Sequence, residues 1–265
     1  MMSNDGFALR GLVAGSSGIP LLLVHGFPFD HTQWQPQLVG LTHQATILAP
    51  DIRGLGSSEG PEEHALYSME RYAADLVAWM DHMAWESAVV CGLSMGGYII
   101  LAMLEAAPER FRGVVLMDTH ARADTDEARE GRRRSRERIR REGMAGLASD
   151  LLQRVVGTTT LRNRSEVTAH LQWMMSRAPA NGVAGALEAM ASRPDRTHLL
   201  PDIGVPALAL VGSEDALTPP DVVRAMAGQI PGAACMEIPD AGHVVSLEAP
   251  EATNAALLTF LESLR

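Results

Sequence analysis

A serine set between glycines at the end of an apolar run is the first residue of this chain whose surroundings point to chemistry. In Ala88-Val89-Val90-Cys91-Gly92-Leu93-Ser94-Met95-Gly96-Gly97 a strand-like stretch ends in G-x-S-x-G and a helical pattern begins at once. A strand-to-helix turn this sharp strains the serine backbone and lifts its hydroxyl above the carboxyl edge of a sheet. Glycines on either side let neighbouring backbone pass without a Cβ in the way. The Met95 amide, at the start of the helix, then points to where an oxyanion would form.

Such a hydroxyl needs a base, and the base needs an orienting acid. Of nine histidines, His243 directly follows the last strand-like run, in Pro239-Asp240-Ala241-Gly242-His243. Asp215 closes Ala209-Leu210-Val211-Gly212-Ser213-Glu214-Asp215 just past another. Asp118, behind Val114–Met117, competes with Asp215 for the acid, while the Glu214 side chain is expected to point elsewhere. His25-Gly26-Phe27-Pro28 follows a further strand, so the Phe27 N–H can serve as a second oxyanion donor, and Pro28 adds no competing one. His25 is expected to hydrogen-bond its own loop. Asp51 and Arg53 are expected to tie the Asp51–Ser58 loop together through charge-assisted hydrogen bonds.

These residues need a scaffold that brings strand ends to one edge. Short apolar runs at Leu21–His25, Thr46–Ala49, Ala88–Cys91, Val114–Met117, Ala207–Val211 and Cys235–Ile238 alternate with helical patterns. Met69 to Met83 places Tyr72, Leu76, Trp79, Met80 and Met83 on one helical face. A helix after Tyr98 stops before Pro108, and Glu251 to Leu264 forms the last one. Asp30 can cap a helix at His31, with Gln33 closing a capping box. Alternation of this kind predicts an α/β fold with a mostly parallel sheet covered on both faces.

From Thr119 to Leu200 the alternation stops and the composition turns helical. Glu127 to Glu142 holds eight arginines and four glutamates, which reads first as a solvated, salt-bridged helix. Farther on the stretch becomes apolar. We expect a core of residues 1–119 and 201–265 with a helical cap, residues 120–200, inserted in it. Trp173, Met174 and Met190 are the candidate pocket residues of that cap.

Composition narrows the chemistry. The basic residues are all arginine, 22 of them with no lysine, against 32 acidic residues and a net charge of −10. Lysine Schiff bases, phosphate-loop lysines and Ser-Lys hydrolysis are therefore excluded. Acidity argues against a nucleic-acid partner. Cys91 and Cys235 lack metal-ligand spacing and read as buried thiols. Met1 to Gly6 carries no basic region or long apolar stretch, and the first apolar run, Ile19 to Val24, is only six residues, which fits neither a signal peptide nor a membrane span, so the expectation is a cytoplasmic protein.

The whole set resembles the serine-nucleophile branch of the α/β-hydrolase superfamily. The likeness rests on His25-Gly26-Phe27-Pro28, Asp51 to Ser58, Gly92 to Gly97, Asp215, and Gly242-His243 with Glu248-Ala249-Pro250 behind it. It implies Ser94 as nucleophile, His243 as base, Asp215 as orienting acid, and a cap over a mostly apolar acyl pocket. Serine at 94 disfavours the dehalogenase and epoxide-hydrolase branches, which need aspartate there. A carboxylic-ester hydrolase on small to medium apolar esters, without metal or organic cofactor, is the leading expectation. The Cys91-to-Gly97 elbow is also similar to that of 3-oxoadipate enol-lactonases. A carbon–carbon bond hydrolase and a non-catalytic binding protein on the same fold complete the alternatives.

Overall fold

The computed structural model describes all 265 residues. Seven strands form one sheet in the order β1-β3-β2-β4-β5-β6-β7. They are β1 Gly11–Ala14, β2 Ile19–Val24, β3 Ala45–Pro50, β4 Ala88–Leu93, β5 Phe111–Met117, β6 Ala207–Gly212 and β7 Ala234–Ile238. Only β1 runs antiparallel, pairing Leu12 with Ala49; the other pairs are parallel, for example Cys91 with Val115. Strands β4 and β6 are buried along their whole length, which is why they read as continuous apolar runs and not as alternation.

Period-two alternation distributes the side chains between two cores. Leu22, Val24, Leu48, Val90, Val114 and Val211 face one layer, with Tyr72, Leu76 and Met80 of helix α2 (Met69–His82). Leu21, Leu23, Ile47, Val89, Cys91, Val115 and Leu210 face the other, with Leu257 and Leu261 of the last helix, Pro250–Glu262. Each fully buried Leu or Val contributes roughly 1.5–3 kcal/mol. Helix α2 begins where the Ser68 hydroxyl accepts the Arg71 N–H at 3.2 Å. Between β2 and β3 lies helix α1 (Gln35–Gly40), and helix α3 (Met95–Ala106) follows β4 directly.

Five helices stand between β5 and β6: α4 Asp126–Glu142, α5 Met144–Val155, α6 Thr158–Asn163, α7 Ser165–Arg177 and α8 Ala180–Ser192. Thr125 caps α4, acidic Asp126 and Glu127 occupy its first turn, and Arg140 and Arg141 its last, as the helix dipole favours. Its arginines pair along the helix, Arg133 with Glu130 and Glu137, Arg138 with Glu142. Exposed pairs of this type add little stability each. Helix α9 (Pro220–Ala227) joins β6 to β7; after β7 come α10 (Val245–Glu248) and α11 (Pro250–Glu262).

Several expectations are corrected. The short apolar run Gly11–Ala14 is an additional, mostly exposed strand, β1, paired with β3. Asp30 does cap His31–Trp34, through the Thr32 N–H, but that segment is a 3-10 turn. Gln33 closes no capping box; it turns inward and accepts the Gly26 N–H at 2.9 Å. Of Asp51 and Arg53, only Asp51 ties its own loop together, through the Ser57 N–H. Asp51 accepts from His31 and Ser57, while Arg53 forms a two-pronged pair with Asp75 at 2.6 and 2.8 Å. Both cysteines are free, but only Cys91 is buried; Cys235 sits exposed on edge strand β7. No helix is long and apolar enough to cross a membrane.

Candidate active site

Ser94 occupies the junction of β4 and α3 with φ 54° and ψ −111°, a conformation non-glycine residues rarely adopt. Two hydrogen bonds hold it there: its N–H donates to the Met117 carbonyl, and the Thr119 hydroxyl donates to its own carbonyl, both at 2.8 Å. The tight turn explains the glycines. A Cβ at Gly96 would lie 2.3 Å from the Val24 carbonyl oxygen, and one at Gly92 would lie 2.6 Å from the Gly96 backbone.

His243 reaches Ser94 from the loop after β7, with Nε2 2.8 Å from the serine Oγ. Its Nδ1 lies 2.8 Å from Asp215 Oδ2. The other Asp215 oxygen accepts the N–H groups of Leu217 and Thr218 at 2.8 and 2.9 Å. Both carboxylate oxygens are thereby occupied, and the acid can turn only one edge toward the imidazole. Asp215 and His243 are buried at 3% and 5% exposure. The competing Asp118 is fully buried, at φ 47°, and accepts the Gly212 N–H. Burial, with the Asp215 charge nearby, pushes its carboxyl well above the ordinary range. It supports β6 and does not reach the histidine ring. Glu214 turns away to Thr158 and Thr159.

The oxyanion candidates flank the serine. Phe27 stands beside Ser94 at the cavity surface, and its N–H finds no acceptor within the protein. Met95 is the first residue of α3, where amides lack intrahelical acceptors. His25 behaves as expected: Nδ1 donates to the Gly26 carbonyl and Nε2 accepts the Ile52 N–H, both at 2.9 Å. Burial lowers its pKa, so the neutral ring pins two loops.

A cavity of about 480 Å³ opens over Ser94 and His243. Phe27, Leu147, Leu151, Leu187, Met190 and Leu217 supply its apolar wall. Of the pocket candidates, Met190 is there. Trp173 is not: it is 44% exposed, stacked on His170 and covered by the Arg177 guanidinium at 4.2 Å. Met174 is buried in the packing between the inserted helices and the sheet. Consecutive residues on α7 point about 100° apart, so Trp173 falls on its exposed face and Met174 on its packed face, and neither lines the cavity.

Three groups were under-read from sequence. Glu248 is buried and its carboxylate accepts the N–H groups of Gly157 and Val244 at 2.8 and 3.0 Å. Tyr98 lies one helical turn after Ser94, an i, i+4 spacing that signals a shared face, and lines the same cavity with His120 and Arg132. As for metals, Asp30, His31 and Asp51 bring ligand atoms within 4.8 Å of one another, but Thr32, Ser57 and the His31 ring already engage both carboxylates.

A family model described as alpha/beta hydrolase fold matches residues 19–250. The chain belongs to the α/β-hydrolase family, and its relatives include esterases and enol-lactonases. It is similar to a thermophilic esterase from Thermogutta terrifontis solved with malate bound, at 40% identity and a TM-score of 0.95, covering 99% of this chain and 96% of that one. The enol-lactonase of Burkholderia xenovorans LB400 superposes with a TM-score of 0.90 at 29% identity, covering 98% of each chain. The 3-oxoadipate enol-lactonase 2 of Acinetobacter baylyi is 26% identical over 251 residues, 94% of this chain and 91% of that protein.

Proposed function

We propose that the protein is a serine carboxylic-ester hydrolase working through an acyl-enzyme. The observation that carries this reading is the unbroken relay Asp215–His243–Ser94, two contacts of 2.8 Å each, ending on a serine held at positive φ. His243 Nε2 takes the hydroxyl proton as Oγ attacks the ester carbonyl. The oxygen turns anionic between the Phe27 and Met95 amides, and each such donor contributes on the order of 3 kcal/mol to the transition state. Collapse expels the alkoxide, which leaves with the proton from His243. Water, deprotonated by the same ring, then releases the acid and restores Ser94. These steps call for no metal and no organic cofactor. The segment 120–200 acts as a cap in this reading, with Leu147, Leu151, Leu187 and Met190 roofing the acyl group of a small or medium ester.

The test is hydrolysis of p-nitrophenyl acetate and butyrate by the wild type and Ser94→Ala. Wild-type turnover that vanishes in the variant is the expected result; a variant that keeps most of the activity sinks the proposal.

A lactone is an internal ester, and the same relay would open one. The two enol-lactonase relatives favour this second reading. An assay panel of short esters, enol-lactones and vinylogous diketones separates ester, lactone and carbon–carbon bond cleavage. A binding protein on this fold, by contrast, would have no reason to react with a fluorophosphonate.

A further inference from the structure

The cavity wall one turn along α3 from Ser94 is not apolar. Arg132 of α4, Asp124 and Arg193 form a cluster there, with side chains only 20%, 4% and 2% exposed. Asp124 receives Arg132 through Nε and Nη2 and Arg193 Nη1 at 2.6 Å. Two guanidinium groups thus share one carboxylate, and a positive charge stays uncompensated in a poorly solvated place. The leftover donors have nowhere good to go. Arg132 Nη1 faces the Met190 thioether at 3.2 Å, a weak acceptor. Arg193 Nε and Nη2 have no acceptor at all, and the guanidinium lies 3.9 Å over the Tyr98 ring.

Tyr98 adds a directed donor. The His120 Nδ1 accepts the Arg122 N–H at 3.2 Å, so in the neutral ring the proton sits on Nε2, 3.3 Å from the Tyr98 oxygen. His120 therefore donates to Tyr98, and the Tyr98 hydroxyl hydrogen is left to point into the cavity. Burial and the charges of Arg193 and Arg122 lower the His120 pKa to about 4, an independent sign of positive potential at this wall. Glu127 also lines the cavity, but it is exposed on the first turn of α4, and Arg134 and Arg154 at the same mouth outnumber it.

We propose that Tyr98 and Arg132 form an anion-binding subsite, and that the ester taken by this site carries a carboxylate positioned along that wall. The proposal rests on Ser94 acting as the nucleophile of an ester hydrolase, and it names the substrate class that reading leaves open. A carboxylate would accept from Arg132 Nη1 and the Tyr98 hydroxyl and cancel the surplus charge. Charge-assisted hydrogen bonds of this kind discriminate by about tenfold to a hundredfold.

The experiment compares kcat/KM for the monoethyl and diethyl esters of succinic, glutaric and adipic acids. Wild type should prefer at least one monoanion over its diester by about tenfold or more, and the free diacid should competitively inhibit p-nitrophenyl butyrate hydrolysis. In Arg132→Met and in Tyr98→Phe the monoanion-to-diester ratio should fall toward unity, mainly through KM. Tyr98→Phe keeps the packing, so it decides the matter if Arg132→Met folds poorly. Diesters cleaved as well as monoanions, with no inhibition by the diacids, overturn the subsite while leaving the esterase reading intact. If p-nitrophenyl butyrate is not turned over, or Ser94→Ala still turns it over, the esterase reading fails and the subsite falls with it.

Discussion

The Glu248 carboxylate bridges its own loop to a segment 91 residues earlier, accepting the Gly157 N–H at 2.8 Å through Oε2 and the Val244 N–H at 3.0 Å through Oε1. Val244 follows His243, and Gly157 follows the end of α5. The carbonyl of Val155 accepts the His243 N–H at 2.9 Å, so the loop that carries the imidazole is fastened to the inserted helices at two adjacent points. Arg164 binds the Glu248 carbonyl from the same side.

Glu248→Gln should test that fastening. An amide cannot accept at both ends, so one buried N–H loses its partner at a cost of about 1–3 kcal/mol. We expect a lower melting temperature by calorimetry. A reduced kcat on p-nitrophenyl butyrate, with KM changed less, would mark displacement of His243. Unchanged stability and kcat would show that the bridge positions nothing.

Gly96→Ala should be far more severe than its one added methyl implies. The new Cβ would meet the Val24 carbonyl oxygen at 2.3 Å, against backbone that cannot step aside. The expected outcome is loss of soluble protein, or a folded protein whose Ser94 no longer reacts with a fluorophosphonate. Gly228→Ala, at an open helix end where the nearest atom lies 3.4 Å away, serves as the tolerated control.

His120 makes stability depend on pH. Folded, it titrates at about 4 instead of 6.5 because burial, Arg193 and Arg122 oppose its charge. Between those values the unfolded chain binds the extra proton, so stability rises with pH through that window. The penalty is about 3 kcal/mol near pH 4 and disappears above pH 6.5. His120→Gln should therefore flatten the rise of melting temperature between pH 4.5 and 7.5. An unaltered slope would contradict it.

Trp173→Ala should leave kcat/KM on p-nitrophenyl butyrate within a factor of about two, since Trp173 lies outside the cavity and exposed residues rarely matter far from a site. Met190→Ala, at the cavity wall, should change the chain-length preference among p-nitrophenyl esters. The reverse pattern would mean that α7 and not α8 borders the acyl group.

The strand-end residues were legible because local chemistry dictates them. Gly92-Leu93-Ser94-Met95-Gly96 can make little else than a tight strand-to-helix turn, and a histidine or aspartate in the loop that leaves the carboxyl end of a parallel strand emerges at that edge of the sheet. The inserted helices resisted such reading. On an amphipathic helix, a residue facing the cavity and one facing the sheet are equally apolar, so Met190 and Met174 looked alike until the packing was known. The ion pairs were equally hidden: Arg53 passes over Asp51, two residues back, for Asp75, and Arg132 and Arg193, 61 residues apart, meet at Asp124. The edge strand β1, Gly-Leu-Val-Ala, is apolar but too short to show a strand's period, and its exposed side chains pack on no core.

Peptide mapping after treatment with a fluorophosphonate tests the central claim most directly. We predict one covalent adduct per chain, located on Ser94, formed in step with complete loss of p-nitrophenyl butyrate hydrolysis and abolished by His243→Ala. An adduct on another residue, or full inhibition with Ser94 unmodified, would contradict the assignment of Ser94 as the nucleophile.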